Sequence, residues 1–322
     1  MSGRLRDSDW FGPFLVTVLA VVTVTAFSPS FLSPFNVQIL LLAISVNAMV
    51  AFSQMIIIAI GQMNLSVGAI GGLAAIAFGG MMEVWGLPWP LAAIVALCIG
   101  LLAGLANGVL VAMTGISAFI ITLASLSIYK GINLGITEAQ PFYAIPQAVK
   151  SIGNDTMLGP LPWLVLPCIL VAVGLWYALE RLSIGRAVLA VGGNAHAAEL
   201  SGISVRRVTM IAHAVSGFLA ALAGIMLVAR LQIGQPTIGD DWLILSFAAP
   251  VIGGAVLSGG RISVAGTFFG VALVAIFTQV LVLFDIDPFL VQIVLGALIL
   301  WAVGINRYRE VRARRQLGVA AP

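Results

Sequence analysis

Residues 91–111 read LAAIVALCIGLLAGLANGVLV, an unbroken apolar run in which Asn107 is the one strongly polar side chain. A helix needs about 20 mainly apolar residues to cross the hydrocarbon core of a bilayer, and this run supplies them. It does not alternate polar with apolar, as a strand of an outer-membrane barrel would. Lipid offers the backbone no hydrogen bonds, so a run of this kind must satisfy its own peptide groups, which a helix does. The stretch therefore predicts an all-α membrane protein.

The rest of the chain agrees. Of its 322 residues, 61% are hydrophobic and 8% charged, whereas a soluble domain carries about 25% charged residues to cover its surface. Ten spans are expected, at 11–27, 37–60, 66–84, 90–112, 117–135, 161–179, 209–230, 242–258, 263–284 and 288–305, with ends good to about three residues. They make a transmembrane domain over 11–305, between a cytoplasmic segment 1–10 and a basic cytoplasmic tail 306–322. Pro13, Pro90, Pro162 and Pro288 fall near starts, where a missing N–H costs little. Region 37–60 carries Asn47 and Gln54 and is the one where a break is expected. The first run is followed by Ser28-Pro29-Ser30 rather than a small-residue cleavage site, so it reads as a span and not a signal peptide. Cys98 and Cys168 lie inside apolar runs and read as buried free thiols rather than a disulfide.

Charge placement tests this count. With both termini in the cytoplasm, twelve of the 15 Lys and Arg residues fall inside, including Arg181, Arg186, Arg206, Arg207 and the tail from Arg307 to Arg315. Lys130, Lys150 and Arg230 fall outside. Cytoplasmic segments are enriched in just this way, and removing one helix before residue 181 would put the basic 181–208 loop outside. The acids, Asp240 and Asp241 among them, are expected at or near span ends. That placement argues against an ion-coupled carrier or channel, the rival reading, because such carriers place carboxylates in mid-membrane. The pI of about 9.2 follows from loop arginines and attraction to anionic lipid heads. A nucleic-acid site would need a basic face with groove-entering elements, and none is legible.

A weak internal echo pairs residues 58–62, IAIGQ, with residues 231–235, LQIGQ, each followed by a small-residue-rich helix containing a Gly-Gly pair. Internal repeats are common in transporters. Gly100, Gly104 and Gly108 recur every fourth residue and let a neighbouring helix approach closely, within one protomer or at a dimer seam. Eleven uncharged polar groups lie in the spans and are candidates to line a solute pathway: Asn47, Gln54, Gln62, Asn64, Ser66, Asn107, Thr122, Asn133, Ser216, Gln279 and Gln292. Each could instead make an ordinary interhelical hydrogen bond. His213, inside span 7, reads as a buried neutral histidine before a proton relay.

The inside loop carries Gly185-Arg186 and then residues 190–203, AVGGNAHAAELSGI. Matches follow at 220–225 (AALAGI), 228–231 (VARL), Gln235-Pro236, Ile252-Gly253-Gly254, Ser258-Gly259-Gly260 and Ala265-Gly266-Thr267. Upstream, Leu65-Ser66-Val67-Gly68 and residues 118–123, AFIITL, belong to the same ordered series. On these motifs, over about residues 30–305, the chain resembles the ribose/arabinose/xylose-type ABC permeases. The resemblance implies a type II ABC importer-like permease in the bacterial inner membrane. It would work as a homo- or heterodimer, take solute from a periplasmic solute-binding protein and be driven by a cytoplasmic ATP-binding subunit. ATP and magnesium would sit on that partner; this chain would bind no cofactor or metal and would not be an enzyme. Lys150-Ser151 lacks the glycine of a phosphate-cradling loop, and no H-E-x-x-H or G-x-S-G motif is present. The loop 181–208 would be the ATPase-coupling element through Arg186, Gly192, Gly193, Asn194, Ala197, Ala198, Leu200, Gly202 and Ile203. Its short helices are expected at 195–201 and 204–208, with the glycines as turns, though an amphipathic connector lying on the membrane is the alternative. The chain departs from the pattern at Asn64, where the family carries an acid, and at Leu243 and Leu245, where ribose-type members usually do. These departures leave the particular sugar open and admit one half of a heterodimer.

Overall fold

The computed structural model describes residues 10–284 and, beyond them, residues 290, 293, 296, 297, 300 and 304. Helix α1 (Phe11–Phe27) leads through a 3-10 turn (Pro29–Leu32) into α2 (Pro34–Ala59), followed by α3 (Val67–Glu83), α4 (Trp89–Thr114) and α5 (Ala118–Thr137). A short helix α6 (Gln147–Asn154) and a small hairpin, β1 (Thr156–Leu158) with β2 (Leu161–Pro162), come next. Helices α7 (Val165–Arg181), α8 (Ser183–Gly193), α9 (Ala195–Leu200), α10 (Val205–Leu231), α11 (Trp242–Ile252) and α12 (Val264–Leu283) complete the described chain.

Among the described residues, α2, α4, α5, α10 and α12 are long and apolar enough to cross a membrane, with a sixth span if α7 and α8, bent by 74°, are counted together. Helices α1, α3 and α11 are apolar but shorter, with 17, 17 and 11 residues. Nine of the expected segments thus correspond to helices. Most of the segment 288–305, Gln292 included, and residues 1–9 and 306–322 lie outside the described residues.

Local chemistry sets the helix ends. The side chains of Ser33, Asn194, Ser204 and Ser263 accept from the amides of Asn36, Ala197, Arg207 and Gly266, each satisfying an amide that the first helical turn leaves orphaned. Pro34 and Pro90 occupy first turns, where their missing N–H is not needed.

Helix α10 is the axis of the bundle. A methyl added to Gly100 or Gly104 of α4 would meet Ala221 or Gly217 of α10, and Gly71 of α3 faces the Ala220 carbonyl. Backbones in such contact gain the dispersion that holds membrane helices together where lipid supplies no hydrophobic drive. The recurring glycines of α4 therefore serve packing within the protomer.

Several expectations are corrected. Helix α2 runs unbroken through Asn47 and Gln54; the break falls after it, at 60–66. Cys168 is buried, but Cys98 faces outward from α4, and both are free. The outside loop 136–160 holds α6 and the hairpin. The inside loop gains α8, and the expected 204–208 helix is the first turn of α10. Gly192 and Gly193 end α8 rather than forming turns, whereas Gly202, at φ +82°, does make one. Helix α11 stops at Ile252, short of the expected residue 258.

Candidate functional site

Both ends and the middle of the bundle carry built features. At one end, the Glu83 carboxylate closing α3 accepts from the amides of Tyr143 and Ala144 at 2.6 and 2.8 Å. Phe142 pairs with Gly234 through two backbone hydrogen bonds of 2.8 and 2.9 Å, and Gln38 donates to the Asn154 carbonyl at 2.8 Å. The 136–160 segment is latched across the ends of α2, α3 and α10.

At the opposite end three loops meet backbone to backbone. The Gly260 amide donates to the Ala59 carbonyl at 3.0 Å. A methyl on Gly192 would fall on that carbonyl and on the Gly260 amide, and one on Gly259 would collide with Gly61 and with the Gly192 carbonyl. Gly61, Gly259 and Gly260 all have positive φ, open to glycine and strained for other residues. The junction ties the end of α8 to the chain leaving α2 and to the loop between α11 and α12. Beyond it, Asn194 caps α9 by accepting from Ala197 N at 3.0 Å. Ala198 points inward at 4% exposure, while Leu200 stands out at 78%. Arg186 donates to the Arg181 carbonyl across the α7–α8 bend at 3.3 Å, and Ile203 closes the turn after α9 by donating to the Ala198 carbonyl at 3.0 Å. His196 is exposed.

Between the ends, the chain at 60–66 folds into the bundle and is held by a buried polar network. With its amide turned to suit both partners, Gln54 donates to the Asn64 carbonyl at 3.0 Å and accepts from the Asn64 amide at 3.2 Å. Asn64 Oδ1 accepts from Ser66 N and Ser66 Oγ at 3.0 and 2.7 Å, and its Nδ2 donates to Ser216 Oγ at 3.1 Å. Ser53 Oγ donates to the Ser216 carbonyl at 2.8 Å. Asn107 Nδ2 donates to Ser66 Oγ at 2.8 Å. Thr122 Oγ1 accepts from Leu65 N at 3.1 Å and donates to the Ala118 carbonyl at 2.6 Å. Every side chain in this set is fully buried. Gln62 and His213 pair at 3.0 Å, and His213 Nδ1 has no partner among the described residues. The structure brings Gln54, Asn64, Ser66, Asn107 and Ser216 together and spends their hydrogen bonds largely on one another, with Thr122 beside them holding the Leu65 amide. Asn47 and Gln279 stand apart, half-buried on α2 and α12.

Sequence reasoning missed one feature. After α10 the chain 232–241 does not stay at the bundle end but descends along α3 in successive turns. Gly234 lies beside Gly79, the Ile238 carbonyl against Gly72 and Gly239 against Gly68. Asn133 Nδ2 anchors it by donating to the Pro236 carbonyl at 3.0 Å. Gly71, one turn above Gly68, packs on Ala220, just past the middle of α10. The first turns of α3 and α11 therefore meet near mid-bundle, with Trp242 stacked over Gly71. Asp240 and Asp241 are at that depth, not at a span end as expected, and Lys130 of α5 binds Asp240 at 2.9 Å. An isolated charge at the bilayer centre costs about 2.5–3.5 kcal/mol on insertion scales, so charges placed there mark a site. The glycines of 234 and 239 were the available signal: they allow the close approach that carries the chain inward.

A many-helix bundle with its chain broken twice near mid-depth has the architecture of a membrane transport protein. Comparison with known proteins narrows the class. Residues 36–303 match the model of the family described as the permease component of the branched-chain amino acid transport system, and the chain belongs to that family. It is 36% identical to a ribose import permease protein of Bacillus subtilis over 93% of each chain. It is 33% identical to a fructose import permease protein of Rhizobium meliloti over 96% of this chain and 88% of the relative. An L-arabinose ABC transporter permease protein of Azospirillum brasilense is 28% identical over 97% and 93%. No solved structure matches. The protein is thus a multi-pass membrane permease, similar to sugar import permeases, and the resemblance read from its motifs holds.

Proposed function

We propose that this chain is the membrane-spanning subunit of an ABC importer that carries a ribose-type sugar or a related small polar solute across the inner membrane. In this reading it has ten spans with both termini in the cytoplasm, a permease domain over 11–305, and a basic tail. It pairs with a second copy or a homologous permease, receives solute from a periplasmic solute-binding protein, and is driven by a cytoplasmic subunit that holds the ATP and magnesium. The carrying observation is the three-loop junction at Gly61, Gly192 and Gly259–Gly260. It gives a movement of the α8–α9 elbow a stiff route to the 60–66 break directly and to the 232–241 break through α11, because contacting backbones shift together rather than deform. The loop residues Arg186, Gly192, Gly193, Asn194, Ala197, Ala198, Leu200, Gly202 and Ile203 form that elbow. Leu200 is the apolar side chain left outward for the ATPase to cover.

The test is vanadate-sensitive ATP hydrolysis by the reconstituted complex, with pentoses, hexoses and polyols offered in turn. Stimulation by the loaded solute-binding protein is expected. Stimulation by free solute alone would overturn the importer scheme. An ion-coupled carrier, which the mid-depth carboxylates would otherwise favour, predicts uptake that collapses with the ion gradient and ignores vanadate.

A further inference from the structure

We propose that Lys130, Thr237, Asp240 and Asp241 line a water-filled solute passage at mid-bundle, and that its net negative charge favours neutral, hydroxyl-rich solutes over anionic ones. The proposal rests on the importer reading only for the identity of the cargo. The placement comes from geometry. Gly239 lies against Gly68, one turn from the Gly71 contact with Ala220 near the centre of α10, so the four residues are far from either end of the bundle. Yet the side chains of Lys130 and Asp240 are 44% and 46% exposed, and Thr237 and Asp241 are exposed beside them. Charged groups open to hydrocarbon at that depth are not tolerated, whereas those bordering a water-filled cavity are. Exposure and depth together exclude lipid from this face, and the unbalanced charge of two carboxylates against one cation favours water over the second permease copy as what covers it.

The surroundings fit a site rather than a chance pair. The segment is pinned from behind by Asn133, whose Nδ2 donates to the Pro236 carbonyl while its Oδ1 is buried with no partner among the described residues. The backbone carrying Asp240 is therefore fixed in place. Chemically, the two carboxylates accept from solute hydroxyls and the ammonium group donates to a hydroxyl or ring oxygen, a complement to vicinal diols. One cation against two carboxylates leaves a net charge of −1, which opposes sugar acids.

The experiment needs no knowledge of the cargo. Thr237→Cys and, separately, Leu243→Cys are introduced into the full complex with Cys98 and Cys168 replaced by Ala, in native membranes. They are treated with a cationic and an anionic methanethiosulfonate, with rates normalised to a free thiol. Binding-protein-stimulated ATP hydrolysis, measured on the same membranes, reports on the importer reading separately. Labelling of Cys at 237 is expected, with the cationic reagent faster by about tenfold through field focusing in a low-dielectric cleft. That preference should reverse when Asp240→Asn and Asp241→Asn are added, because Lys130 then leaves a net charge of +1. If neither cysteine is labelled in complexes that still hydrolyse ATP on stimulation, or only after denaturation where they do not, the face is dry and the proposal fails. Labelling without a cationic preference overturns its selectivity.

Discussion

At the scale of single residues, two kinds of position bear the structure, and they predict opposite responses to small changes. Gly104 faces the His213 carbonyl and the Gly217 backbone, whereas Gly174 of α7 has open space where a side chain would go. Gly104→Ala is expected to cost about 1–3 kcal/mol as overpacking. Gly174→Ala should be neutral or gain up to about 1 kcal/mol from helix propensity. Thermal unfolding in detergent compares them, and equal midpoints would contradict the packing account. Asn64 is the second kind. Its Oδ1 accepts twice within the turn and its Nδ2 donates to Ser216. Asn64→Asp keeps both acceptances, and the Ser216 hydroxyl can rotate to donate, but it buries a carboxylate with no cation beside it. Asn64→Leu strands buried donors at about 1–3 kcal/mol each. The expected order of stability is wild type, then Asp, then Leu. The signature singled out Asn64 and Ser66; that Gln54, Asn107 and Ser216 close on them was not legible, because these partners come from three other helices.

Among the elements, the long helices were readable because each is a continuous apolar run, and α1, α3, α4, α5, α10 and α12 fall within a few residues of expectation. The misses have physical causes. Helix α8 carries Gly192 and Gly193, which sequence reasoning assigns to turns, yet tertiary contact demands the first of them, Gly192 lying against Ala59, as it does Gly185 against Leu179. The 232–241 segment reads as a polar loop, and only its fit against α3 draws it inward. Helix α9 yields a sharper test than its sequence did. Ala198 is buried against the chain's own core, so a charge there would disturb the elbow's own docking. Leu200→Asp leaves the fold intact and removes an exposed apolar anchor. Solute uptake is expected to fall by about tenfold or more, as for an interface hot spot, with unchanged protein levels and thermal midpoint. Normal uptake would show that α9 is not where the ATPase bears.

For the whole molecule, the two echoed segments turn out to lead into related but inverted features. After α2 the chain turns inward from one end and α3 starts within the bundle; after α10 it turns inward from the other end and α11 starts beside it. Inverted repeats of this kind place their breaks together at mid-membrane. With both termini in the cytoplasm, Ala197→Cys should react with an impermeant thiol reagent only in inside-out vesicles, and Tyr143→Cys only in intact spheroplasts. The reverse pattern would invert the molecule and remove the ATPase from α9. The three-glycine junction also has a consequence for biogenesis. Its parts lie at residues 61, 192 and 259–260, so the first waits about 200 residues for the last to be translated, roughly 10–40 s at ordinary ribosome speed. The 60–66 turn lacks Ser216 for most of that interval and the rest of the junction until its end, and the newborn protein must be sheltered by the insertion machinery until residue 260 has been made.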